Sequence, residues 1–199
     1  GDMVGLSDGN FAVVVEDRSG FHTDGTAATA VIIAPDGSIV KESFVVASGS
    51  IWSNVAAFEG GWAARVGGVI YFFDNAGKAL GQAAQGDSGI NFDGGRGDGT
   101  RIYGHINSPY VYLAGVVDGQ VQLGVWDSRD QKFVAGAPVN EGSYEASFER
   151  VNLASDALNR VVVAYESKPT AEGKEYEQHQ VTVRVLAFNA ESKSISYLT

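Results

Sequence analysis

The sequence has no cysteine, a single methionine (Met3) and only 4 prolines among 199 residues, and 19% of its residues are charged. The missing thiols exclude disulfide bridges, a thiol nucleophile and a thiolate-bound metal. Positive charge is scarce as well. Lys and Arg number 14 against 24 Asp and Glu, giving a net charge of -10 and a pI near 4.6. That balance argues against nucleic acid and anionic membrane surfaces, both of which reward clustered basic side chains. No apolar run approaches the roughly 18 to 20 residues that a membrane-spanning helix needs, so membrane insertion is not expected. Gly1-Asp2-Met3 lacks the basic-then-apolar pattern of an export signal. The three histidines, His22, His105 and His179, show no zinc-binding spacing. A Gly-x-Ser-x-Gly elbow, a P-loop and a dinucleotide fingerprint are all missing.

The chain does have 26 glycines and 44% hydrophobic residues, spread evenly. That is enough apolar material for a substantial core and describes a turn-rich globular chain of one-domain size. Short runs of alternating or β-branched and aromatic residues are bounded by Gly, Asp, Asn and Ser. The clearest strands are Phe11–Glu16, Ala28–Ala34, Ser43–Ala47, Val55–Phe58, Gly61–Arg65, Val69–Phe73, Tyr110–Val117, Val121–Trp126, Arg160–Glu166 and Val181–Phe188. Asp118-Gly119 joins two of them, because Asp-Gly readily takes the positive φ angles of a two-residue hairpin turn. Over Ser143–Asn159 two readings stay open. Phe148, Val151, Ala154, Leu158 and Val161 fall at helical spacing, whereas Asn152, Asp156 and Asn159 favour strand or loop.

One phrase recurs: a strand, a turn, a strand ending on a large apolar residue, then a polar turn. It appears around Ile33-Ala34-Pro35-Asp36-Gly37, Phe73-Asp74-Asn75-Ala76-Gly77, Trp126-Asp127-Ser128-Arg129-Asp130 and Phe188-Asn189-Ala190-Glu191-Ser192. The anchors at 33, 73, 126 and 188 lie 40, 53 and 62 residues apart. Two polar segments, Gly86–Thr100 and Ser167–Gln178, accommodate the excess, leaving a period of roughly 40 to 45 residues, the size of a four-stranded propeller blade. On this motif the chain resembles β-propeller repeat proteins over about residues 5–199. It carries neither the Gly-His and Trp-Asp signatures of WD40 repeats nor the glycine pairs of kelch repeats. The resemblance implies an all-β fold of about four blades of antiparallel strands, with modules at 4–48, 50–86, 100–141 and 143–199. A β-sandwich or jelly roll is the alternative for so many short strands.

Gly86–Thr100 holds Asp87, Asp93 and Asp98 with five glycines after Asp87, a composition suited to wrapping Ca²⁺ and equally to an ordinary glycine-rich connection. Within it Arg96-Gly97-Asp98 resembles integrin-binding adhesion motifs, and the same three letters also make a plain polar turn. Aromatic residues at strand positions, among them Trp62, Trp126, Tyr71, Tyr110 and Tyr112, are expected chiefly in the core. Trp52, between Ser50 and Ser53 beside a turn, is expected to be exposed. The candidate ligand-binding residues are therefore Trp52, Arg96, Asp98, Tyr103 and His105, and the candidate metal residues Asp87, Asp93 and Asp98. No catalytic residue stands out. The expected role is a non-catalytic binding or scaffold domain with a protein or glycan partner, self-association included, in an exported, periplasmic or cell-surface setting. A carbohydrate-binding module or a glycoside hydrolase-type propeller is the alternative, since two of the many carboxylates could meet at a catalytic separation.

Overall fold

The computed structural model describes residues 1–17, 27–48, 53–90, 92, 100–117, 120–140, 144–169 and 180–198. They build sixteen strands in four antiparallel sheets, each drawn from one continuous stretch and ordered as a simple meander. Sheet 1 contains β1 (Asp2–Gly5), β2 (Phe11–Asp17), β3 (Ala27–Ile33) and β4 (Ile39–Ser48). Sheet 2 contains β5 (Ser53–Phe58), β6 (Gly61–Val66), β7 (Val69–Asp74) and β8 (Ala79–Ala84). Sheet 3 contains β9 (Arg101–Gly104), β10 (Tyr110–Val117), β11 (Gln120–Asp127) and β12 (Lys132–Pro138). Sheet 4 contains β13 (Tyr144–Ser155), β14 (Arg160–Pro169), β15 (Gln180–Asn189) and β16 (Ser194–Tyr197). This is a four-blade β-propeller-like fold. The sandwich alternative fails because the strands divide among four sheets rather than two. The helical reading of 143–159 fails too: the segment is strand β13, and Val151 and Leu153 stand opposite Tyr165 and Val163 of β14.

The blades stack face to face, and each junction has its own apolar core. Between sheets 1 and 2, Ala12, Val14, Ala30 and Ile32 meet Trp62 and Phe73. The two rings are stacked with centroids 4.5 Å apart, and Phe44 packs edge-on at 5.7 Å from Phe73. Between sheets 2 and 3, Phe58, Ile70 and Phe72 meet Val111, Leu113 and Trp126. Between sheets 3 and 4, Tyr112, Leu123 and Val125 meet Val161, Val163 and Leu186, with Tyr110 edge-on to Phe188 at 4.8 Å. The strand period of two explains how one sheet serves two cores. Val111 and Trp126 form a cross-strand pair facing sheet 2, while their neighbours Tyr112 and Val125 form the next pair and face sheet 4. Phe92, from the glycine-rich connection, inserts into the second core with its ring 6.1 Å from that of Trp126. The Thr100 hydroxyl donates to its carbonyl at 3.3 Å.

The recurring polar turn is the connection between the third and fourth strands of every blade. At each, a side-chain oxygen at or near the end of the third strand accepts from a backbone N–H a few residues on. The pairs are Asp36 with Ser38 at 2.9 Å, Asp74 with Lys78 at 2.8 Å, Asp127 with Arg129 at 3.0 Å and Asn189 with Glu191 at 2.9 Å. The Ser38 hydroxyl and N–H together hold the Asp36 carboxyl below the usual range. Asp127 is the buried member of the set: Arg129 forks onto its two oxygens at 2.9 and 2.6 Å and reaches the Tyr110 hydroxyl at 3.2 Å. That guanidinium hydrogen bond lowers the Asp127 carboxyl, against the opposing effect of burial.

Two consequences are measurable. Trp126→Ala removes a fully buried ring shared by β11, β12 and Phe92, and should cost about 3–5 kcal/mol in urea unfolding. Asp127→Asn should cost about 1–2 kcal/mol at pH 7, the exposed end of Arg129 being screened by water. Because folding lowers the Asp127 pKa, the wild-type advantage is full above about pH 4 and fades as the pH falls through the lowered value. Urea curves of both proteins at pH 7 and pH 3 check this.

Candidate functional site

The first strand of each blade is the innermost, and these strands line the middle of the array: β1 packs on β5, β5 on β9, and β9 on β13. Each is an edge of its own sheet and pairs on one side only. Two contacts set their separation. The Asp2 carboxylate accepts the Val55 N–H at 2.9 Å, tying β1 to β5. At the next junction Gly104 lies so close to β5 that a Cβ placed on it would sit 2.2 Å from the Ala57 carbonyl oxygen.

Between these strands runs an open groove of about 450 Å³, lined by Asp2–Gly5, Val55–Ala57 and Ile102–Ile106. Gly5, Ala56, Ala57 and Gly104 keep part of its wall free of large side chains. The larger groups it presents are Met3, Tyr103 and Ile106, all exposed, with the half-buried His105 between the last two. The His105 Nδ1 accepts the Asn107 N–H at 3.2 Å, which fixes the ring against its own turn. The next residue, Ser108, is buried and donates its hydroxyl to the Asn159 Oδ1 at 2.8 Å, joining the β9–β10 turn to the β13–β14 turn. Asn159 reaches that position with a left-handed backbone, φ 59°, which asparagine tolerates better than most residues. The Tyr112 hydroxyl also donates to it at 3.4 Å, and burial pushes that phenol well above its ordinary pKa. The groove is therefore an opening between rigid strands with braced turns at its rim.

Of the residues singled out in the sequence, Tyr103 and His105 come together on the groove wall. Asp87 is exposed in a short 3-10 turn, Gln85–Ser88, that follows β8, the outermost strand of sheet 2, far from the innermost strands in that blade's order. Trp52, Asp93, Arg96 and Asp98 lie outside the described residues, as do His22 and His179. Among the described residues no three His, Asp or Glu side chains gather closely enough to hold a metal. Trp62, Trp126, Tyr110 and Tyr112 are buried in the blade cores and do not present rings to a ligand. Sequence reasoning missed Asp2, Met3 and Ile106. The innermost strand of the next blade, which they face across the groove, is about fifty residues away along the chain, and no local pattern signals that meeting.

No family model matches the chain, and no curated protein does. Solved structures do. Hydrazine synthase from Kuenenia stuttgartiensis is 8% identical, with 99% of this chain and 53% of that chain covered and a TM-score of 0.58. The β-propeller domain of the Trilobed protease from Pyrococcus furiosus, described as having an open velcro topology, is 9% identical over 96% of this chain and 53% of that one, TM-score 0.47. The WD40 domain of coronin from Toxoplasma gondii is 12% identical over 76% and 40%, TM-score 0.46. At such identities the likeness is one of fold, and the chain spans about half the length of the first two.

The close approach of β9 to β5 generates a test of the groove geometry. Gly104→Ala has to push backbone away from backbone and should cost about 1–3 kcal/mol. Gly86→Ala, where an added Cβ meets nothing within 4 Å, should change urea stability far less.

Proposed function

We propose that this protein is a non-catalytic recognition scaffold whose central groove holds a short segment of a protein partner. The observation that carries the reading is the groove itself: β1, β5 and β9, each an edge strand paired on one side within its sheet, line it beside Tyr103, His105 and Ile106. Extended peptides add to such edges through main-chain hydrogen bonds, with flanking pockets choosing the side chains. Tyrosine is favoured at interfaces because it brings a large rigid apolar body and one polar tip. Propeller-like arrays present such surfaces without moving, since every blade beneath is held by a packed core. The segment expected to bind is uncharged or basic, in keeping with the net charge of -10.

A displayed peptide library tests the proposal. Selection on the wild-type chain should enrich a short motif whose affinity falls at least about tenfold in Tyr103→Ala, read by calorimetry. Enrichment of nothing, or of peptides indifferent to Tyr103→Ala and His105→Ala, would sink it. Binding on a glycan array that both variants abolish would instead favour the carbohydrate reading.

A further inference from the structure

Four blades in a closed ring have four junctions, yet the apolar core here falls into three clusters, one each for sheets 1 and 2, 2 and 3, and 3 and 4. Among the described residues no comparable packing joins sheet 4 to sheet 1, and no sheet combines strands from the two ends of the chain. Among the described residues the array is therefore an open series of blades, with one face of sheet 1 and one face of sheet 4 that no other sheet covers.

The strand registers show what those faces are made of. In sheet 1 the pairs Phe11 with Ile33, Val13 with Val31, and Met3 with Val13 lie opposite the core pairs, and Val45 joins them through Thr29. In sheet 4 the pairs Val162 with Val185, Ala164 with Val183 and Glu166 with Val181 do the same. Leu198 lies beside Val162 and Val185 at a depression of about 350 Å³. Among the described residues, fifteen large hydrophobic side chains are exposed; six belong to sheet 1, and six to sheet 4 or the turn and terminus adjoining it. A sheet covered on one face alternates apolar with polar, whereas one covered on both reads apolar throughout. β2, β3 and the first half of β14 have the second pattern, although one face of sheets 1 and 4 is uncovered among the described residues. Sheets 2 and 3, whose strands β6 and β10 are buried almost end to end, show what the same pattern becomes when both faces are covered.

We infer that the free face of sheet 4 packs against the free face of sheet 1 of a second copy of this chain, and that two copies related by a two-fold axis close an eight-blade ring. The contact continues the existing series, in which each blade follows the last with its innermost strand against its neighbour's. Each copy has two bare faces, so a pair joined head to tail covers all four and leaves none to propagate, the condition that separates a closed ring from a filament. The second copy would also supply the missing side of the central groove. This goes beyond the peptide-binding reading, and its test reads molecular mass, not ligand.

Sedimentation of the full chain should give a species of twice 20.9 kDa that keeps that mass as concentration rises. Val15→Glu on sheet 1 and Val183→Lys on sheet 4 each place a charge at both junctions of a self-pair, and each variant alone should be monomeric. An equimolar mixture should recover the dimer, because one junction is then wild type and the other sets opposite charges face to face. Both sites are about half exposed, at 48% and 52%, so the far-UV circular dichroism should not change. If a variant does not fold, the wild-type mass still decides. A monomer up to about 1 mM, where even weak association shows, would overturn the inference. So would growth beyond two copies, loss of association in one variant only, or a mixture that stays monomeric.

Discussion

Everything in this protein follows from a twisted β-sheet having two faces and needing an apolar neighbour on each one that is apolar. Because alternate residues of a strand point opposite ways, one sheet can belong to two cores at once, as sheet 3 does with Trp126 on one side and Tyr112 on the other. Stacking of this kind requires no disulfide, metal or helix. It holds a cysteine-free chain together through three separate clusters, and it passes rigidity from blade to blade. The same requirement has a second consequence. Stacking in series always leaves a face bare at either end, and only curvature into a ring or a partner removes it.

The groove is a product of that arrangement and not of any one blade. The innermost strands β1, β5 and β9 have four to six residues each, yet side by side they line one opening. Their spacing depends on two small details: the Asp2 carboxylate on the Val55 N–H, and the missing side chain at Gly104. The rim is braced independently by the Ser108, Tyr112 and Asn159 hydrogen bonds across the third junction. The side chains along the groove include the Asp2 carboxylate held by the Val55 N–H, the Tyr103 phenol, the His105 imidazole fixed by its own turn, and apolar neighbours.

Much of the fold was legible because the middle strands of the blades are apolar on both faces and end at turns with a definite chemistry. β2, β3, β6, β7, β10, β11, β14 and β15 all stand out as runs of Val, Ile, Ala and aromatic residues, and the acidic or amide residue at or near the end of the third strand caps its turn in all four blades. The innermost strands β1, β9 and β13 were not legible. Asp2–Gly5 and Arg101–Gly104 are four residues long, too short for a period to show, and Tyr144–Ser155 mixes Glu, Arg, Ser and Asn with apolar residues closely enough to mimic a helical spacing. Strand β12, Lys132–Pro138, was hidden because its second half, Ala135-Gly136-Ala137-Pro138, has only small side chains and a proline. Tyr103 and His105 could be singled out, since an aromatic and an imidazole beside a turn are unusual in themselves. The glycine-rich connection contributed instead a residue not singled out in the sequence, Phe92, which fills the second core.

The sequence by itself therefore determined the elements and their kind: sheets with apolar residues on both faces, separated by Asx turns at a repeating interval, in a chain too acidic and too poor in thiols for several other classes of protein. These are local properties, set by the period of the strand and the φ preferences of Gly, Asp and Asn. Tertiary structure alone decided which faces meet. Val14 and Val15 are the same residue type on the same strand, one wholly buried and the other about half exposed, because sheet 2 lies on one side of β2 and nothing within the described residues lies on the other. That difference, and the groove assembled from strands some fifty residues apart, depend on how blades stack in space, which no stretch of sequence short enough to show a pattern contains.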